Sequence, residues 1–154
     1  MLDTFIRKAA QHEVDTLSAL AFRSKAHWGY TAEFMEACRA ELTYSRGDLK
    51  TRDVYVLESG SQIVGFYVLK QHSGNRVELE ALFVEPSWIG QGVGRRLIEH
   101  AKAQARRLGA TVMLIESDPN AAAFYVKAGG KQIGQQASGS IAGRVLPVFE
   151  ITLV

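Results

Sequence analysis

A chain of 154 residues, 47% hydrophobic and 22% charged, holds enough apolar side chain to bury its own core, which excludes a disordered, collagen-like or disulfide-stapled polypeptide. The net charge of +2 suits an anionic small ligand but falls short of the footprint of a nucleic-acid binder. One cysteine, Cys38, leaves no internal disulfide, and the scattered His12, His27, His72 and His100 lack zinc-ligand spacing, so no metal is expected.

The first residues, Met1 to Lys8, lack the basic start and apolar core of a secretory leader, and no later apolar run reaches membrane-spanning length. The expectation is one cytoplasmic domain over residues 1–154, with neither membrane nor nucleic acid as partner. Thr4 to Lys8 reads as a strand. Val14, Leu17, Leu20 and Ala21 then recur at helical spacing, so a first helix is expected over Gln11 to Phe22. Thr31 reads as the N-cap of a second helix, which carries Phe34, Met35, Cys38 and Leu42 on one stripe and runs to about Tyr44. Cys38, on that stripe without a neighbouring base, is read as core.

After a break at Arg46 to Asp48 the period becomes extended. Val54 to Leu57, a turn at Glu58 to Ser61, and Ile63 to Leu69 predict a β-hairpin. Val77 to Val84 adds a third strand, on which strict alternation puts Glu78, Glu80, Leu82 and Val84 on one face and Leu79, Ala81 and Phe83 on the other. From Gly92 the helical period returns through Val93, Leu97, Ala101, Ala105 and Leu108 and stops at Gly109. Thr111 to Ile115 is a short apolar run suited to a strand covered on both faces and parallel to the preceding one. Asp118 and Pro119 open a further helix that carries Phe124, Tyr125 and Ala128 and ends at Gly129. Strands near Lys131 to Gln136 and Val145 to Leu153 close the chain around a Gly/Ser-rich loop at Ser138 to Gly143.

The run Gly90, Gln91, Gly92, Val93, Gly94, Arg95 lies between a strand and a helix. Glycines there let the backbone turn tightly and present N–H groups, with the helix end adding positive charge, an arrangement suited to phosphate; tight packing alone would also account for them. Arg95 and Arg96 stand where a nucleotide-hydrolysing loop needs Lys and Ser or Thr, and the glycine spacing and hairpin-rich start do not fit a dinucleotide fold.

Leu82 to Pro86, Gly90 to Ile98 and Asn120 to Gly129 together resemble the GNAT superfamily of acetyl-CoA-dependent N-acetyltransferases, and the element order extends the likeness over nearly the whole chain. The resemblance implies an α+β fold in α/β/α layers: a mixed, mainly antiparallel sheet with a splayed parallel central strand pair, flanked by helices. It implies acetyl-CoA as co-substrate and direct attack by a primary amine. Family loops carry Gln or Arg at the position of Ile89, so the pyrophosphate grip falls to main-chain amides with Arg95 or Arg96 nearby.

Carried over residue by residue, Tyr125 matches the general acid, and Asn120, Ala123 and Phe124 the segment beside the pantetheine arm. Asn120 could instead cap its own helix. Leu82, Phe83 and Val84 supply free main-chain groups to the arm. Glu78 and Glu80 are alternative general bases. His27, Trp28 and Tyr30 fall where the family places its acceptor lid, and Arg144 is the candidate for an acceptor carboxylate. The main expectation is a small-molecule amine enclosed by the Trp28 loop. A protein N-terminus or lysine, and a silent acetyl-CoA sensor, are the alternatives, and the family's late-strand homodimers leave the assembly open.

Overall fold

The computed structural model describes residues 3–154; Met1 and Leu2, the start of the stretch read for a leader, lie outside the described residues. Its centre is a seven-stranded sheet in the order β1-β2-β3-β4-β5-β7-β6. The strands are β1 (Thr4–Lys8), β2 (Asp53–Ser59), β3 (Gln62–Gln71), β4 (Arg76–Val84), β5 (Val112–Glu116), β6 (Lys131–Ala137) and β7 (Val145–Thr152). Neighbours run antiparallel except β4 and β5, whose parallel connection passes through a helix, as the sequence predicts.

Helices cover both faces. On one lie α1 (Val14–Ala26), after a short 3-10 turn at Gln11–Glu13, and α2 (Ala32–Cys38). Leu17, Leu20, Ala21, Met35 and Cys38 from these helices pack with Val54, Val56, Phe66 and Val68 of the sheet. On the other lie α4 (Val93–Arg107) and α5 (Ala122–Lys127), whose Leu97, Ile98, Ala101 and Tyr125 pack with Leu57, Tyr67, Leu79, Met113 and Phe149. Because both faces of β3 are covered, Ile63 to Leu69 is buried without interruption. Among the described residues no helix is long and apolar enough to cross a membrane.

Four sequence expectations change. The first helix runs on to Ala26, beyond Phe22. The second ends at Cys38, well short of Tyr44, although Thr31 caps it as expected and accepts from the Phe34 N–H at 3.1 Å. The Arg46 to Asp48 break is instead the first turn of α3 (Arg46–Thr51): Ser45 Oγ accepts from the Asp48 N–H and an Asp48 carboxylate oxygen accepts from the Ser45 N–H, a reciprocal cap that offsets the poor helix propensity of Gly47.

The fourth change concerns β4. Val68 pairs with Ala81 and Leu69 with Leu79, so Glu80 is an extra residue, bulged out of the ladder. The bulge shifts the alternation by one. Val77 and Leu79 share the α4 face with Leu82 and Val84, while Ala81 and Phe83 turn to the α1 face. The strict alternation read from the sequence is therefore overturned: Glu78 and Glu80 do not share a face with Leu82 and Val84.

Gly65 on β3 lets the first turns of α4 sit directly on the sheet. A Cβ there would lie 2.8 Å from Leu97 Cδ1 and 2.9 Å from Val93 Cγ1. Gly65→Ala is expected to lower unfolding free energy by about 1–3 kcal/mol through overpacking, read from urea denaturation with an unchanged m-value.

Candidate active site

The β4–β5 ladder stops early. Arg76, Val77 and Glu78 pair with Val112, Met113 and Leu114, and beyond them the strands diverge. From Leu79 to Val84 one edge of β4 stays bonded to β3 while the other opens into a cleft of about 1290 Å³. Backbone polar groups facing such a gap need a partner, which makes this edge a docking strip for an extended ligand with amide groups. Leu82, Phe83 and Val84, expected from the sequence to border the arm, all line it.

One end of the cleft is the N-terminus of α4. Gly92, at the N-cap, has φ +82°, where an L side chain is strained, and offers no side-chain cap; the first-turn N–H groups are left for a ligand. A Cβ on Gly90 or Gly92 would meet nothing within 4 Å, so the cradle is open. Gly90, Gly92, Val93, Gly94 and Arg95 line the cleft, as does Ile89, which is 50% exposed. Gln91 turns aside, its amide donating to the Ser87 carbonyl at 3.3 Å. Arg96 bonds the Thr4 hydroxyl on β1, so Arg95 is the arginine left at the cradle. An uncapped helix N-terminus beside a cation fits a diphosphate.

Opposite stands the segment after β5. Asp118 caps a 3-10 turn at Pro119–Ala121 that runs into α5. Tyr125 is buried between Phe124 and Phe149 and lines the cleft; burial, with a smaller contribution from the Asp118 charge, pushes its pKa well above the ordinary phenol value. Phe124 forms an apolar wall against the first turn of α4 at Gly94. Ala123 is exposed and outside the cleft lining. The Asn120 side chain does not cap its own helix: Asp118 does that, and the Asn120 amide instead donates to the Tyr30 hydroxyl at 2.9 Å.

The other end of the cleft is polar. Glu80, on the bulge, accepts from Arg52 Nε at 2.8 Å, and Glu78 is hydrogen-bonded to His72 Nε2 at 2.9 Å. Trp28 lines the mouth, 46% exposed, whereas His27 is exposed outside the lining. Tyr30 sits behind the wall, stacked on Phe34 with centroids 4.0 Å apart. Arg144 lies over both rings and donates through Nη2 to Tyr30 and Asp118, so part of the fork expected to meet an acceptor carboxylate is already engaged. Cys38 is buried, and desolvation raises its thiol pKa, in keeping with the core reading.

Several lining residues carried no sequence signal. Lys25, near the end of α1, reaches Asp118 at 3.4 Å; Glu41 holds Ser140 of the late loop at 2.6 Å; Glu116 ends β5. Asp118 was legible only as a cap. Its carboxylate would be raised by burial, but the Asn120 N–H, the Tyr30 hydroxyl, Lys25 and Arg144 hold it below the usual range. Among the described residues no group of His, Cys, Asp and Glu is placed to hold a metal ion.

Residues 50–129 match the family described as Acetyltransferase (GNAT) domain. The chain is 32% identical over 154 residues to the peptidyl-lysine N-acetyltransferase YjaB of Escherichia coli, spanning 97% of this chain and 96% of that protein. It is 28% identical to the 5-NmdU N-acetyltransferase of Pseudomonas phage PaMx11, over 94% and 96% of the two chains. The crystal structure of the PaiA N-acetyltransferase of Thermoplasma acidophilum in complex with coenzyme A superposes with a TM-score of 0.82 at 22% identity, covering 98% of this chain and 99% of that one. A diphosphate cradle, an open strand edge and a family match that spans both lead to one conclusion: the chain belongs to the GNAT family and is an acetyl-CoA-dependent acetyltransferase.

Proposed function

We propose that the acceptor is the side-chain amine of a lysine carried by a protein or peptide, acetylated by direct attack in a ternary complex. The observation that carries this reading is the open, acidic acceptor end. Trp28, expected from the sequence to close a small-molecule pocket, stands half-exposed in the cleft lining, and Glu41, Glu78, Glu80 and Glu116 line the same cleft. Burial pushes the Glu116 pKa up, and the charges of Glu78 and Glu41 add a smaller rise that is the mark of a negative local field. Such a field draws in an ammonium group, and an open mouth admits the polypeptide behind it. The name of the E. coli relative points the same way.

Acetyl-CoA supplies the thioester carbonyl that the amine attacks. The first-turn amides of α4 and Arg95 hold the diphosphate, and the open edge of β4 at Leu82 to Val84 aligns the pantetheine arm and polarises the carbonyl. Glu78 or Glu80 takes the proton from the ammonium: Glu78 can pass it along its hydrogen bond to His72, while Glu80 is held in place by Arg52. Tyr125 returns a proton to the departing sulfur. Its raised pKa keeps the phenol protonated up to at least pH ~10, so turnover has no falling limb from this group below that pH.

A panel of a lysine peptide, an N-terminal-amine peptide, free lysine and a polyamine tests the acceptor, with thiol release for rate and mass spectrometry for site. The lysine peptide is expected to have the highest kcat/KM; a free amine that equals or exceeds it would overturn the reading. Tyr125→Phe is expected to lower kcat on the order of 10²-fold, with little change in acetyl-CoA affinity; unchanged turnover removes Tyr125 from the chemistry. Gly92→Glu is expected to weaken acetyl-CoA binding at least about tenfold in calorimetry, ~1.4 kcal/mol, by placing a carboxylate at the diphosphate. Retained affinity would put the cofactor elsewhere.

A further inference from the structure

One hydroxyl ties together three segments distant in the chain. Tyr30, between α1 and α2, meets Asp118 Oδ2 at 2.8 Å, Asn120 Nδ2 at 2.9 Å and Arg144 Nη2 at 2.6 Å. Asp118 and Asn120 lie between β5 and α5, and Arg144 ends the loop before β7.

The protons in this cluster can be assigned by chemistry. An ionised carboxylate only accepts and a guanidinium only donates. Tyr30 has one proton, which therefore goes to Asp118. Its oxygen accepts from Arg144 and has one lone pair left, which an amide oxygen could not use. Asn120 must turn its NH₂ toward Tyr30, and its carbonyl oxygen is then the acceptor that this cleft-lining side chain keeps for a ligand.

The protonation states this needs hold near neutral pH. Burial, with the Asp118 hydrogen bond, pushes the Tyr30 pKa up to about 12, and Asp118 stays below the usual carboxylate range. The part-buried bonds to Asp118 and Arg144 hold the Tyr30 hydroxyl in place, and a misoriented Asn120 amide would set its carbonyl oxygen against the Tyr30 oxygen, two acceptors facing each other.

We propose that Tyr30 is a positioning residue: through its hydrogen bonds to Asp118 and Arg144 it sets the polarity of Asn120, so that Asn120 meets the amide N–H of the pantetheine arm as an acceptor. This rests on the reading of Asn120 as a contact of bound acetyl-CoA. It assigns Tyr30 a task at the cofactor in place of the acceptor-lid role expected from its sequence position. Lys25, which also approaches Asp118, leaves the carboxylate anchored when Tyr30 is changed.

A double-mutant cycle on the full chain tests it, with acetyl-CoA dissociation constants measured calorimetrically for wild type, Tyr30→Phe, Asn120→Ala and the double variant. Tyr30→Phe keeps the ring that stacks on Phe34, and thermal unfolding of each protein verifies folding. Asn120→Ala is expected to weaken binding about five- to tenfold and Tyr30→Phe about three- to tenfold, as for loss of one hydrogen bond. The double variant is expected to bind within about twofold of Asn120→Ala, since Tyr30 acts only through Asn120. Effects that multiply, or a Tyr30→Phe protein that binds like wild type while Asn120→Ala is weakened, overturn the inference alone. An Asn120→Ala protein with wild-type affinity overturns the reading of Asn120 at the cofactor, and the inference with it.

Discussion

The structure turns on where the β4–β5 ladder ends. Two parallel strands that stay paired only from Arg76 to Glu78 leave the rest of β4 with hydrogen-bonding groups along one edge and no strand to receive them. Covalent topology forces the connection between them through α4, and α4 begins at the point where the strands have separated. The splay therefore brings a free backbone edge and an uncapped helix N-terminus to one cleft. A ligand with an amide-bearing arm and a diphosphate head matches both.

The glutamate bulge is the second consequence of the same strand. By adding Glu80 to β4, the chain turns Leu82 and Val84 toward the α4 face and leaves the Glu78 and Glu80 carboxylates off that face, tied to His72 and Arg52. A regular strand would have put the carboxylates and these apolar side chains on one face. Separation of the two ends, basic and amide-rich at one and acidic at the other, matches a reaction that joins an anionic donor to a cationic acceptor.

Between the ends lies the cluster around Asp118. Its carboxylate is the hub for a cap, a tyrosine, a lysine and an arginine, drawn from its own turn, from the end of α1 and the connection after it, and from the loop before β7. Contacts of this kind join the connection after α1 and the loop before β7 to the segment that carries Tyr125. They also account for why Arg144, however well placed, does not meet the cleft as a free fork.

Much of the fold was legible in local pattern. Helical stripes, the hairpin turn at Gly60, the strand-helix-strand unit and the glycine cradle all depend on periodicity and φ preferences within a few residues, which a sequence carries directly. The glycine loop was legible by the same local rules and Tyr125 through the family resemblance, and both line the cleft. Less legible were α3, where a capping box outweighed Gly47, and the bulge at Glu80, whose register is decided by what β3 places opposite. The Tyr30–Asp118–Arg144 cluster and the partners of Glu78, Glu80 and Lys25 were not legible at all. These are long-range electrostatic pairings, whose energy depends on distances that only the packed sheet and helices set. Local pattern thus sets the elements and the chemistry they carry, whereas long-range packing selects which charges meet, and so which groups are left to bind.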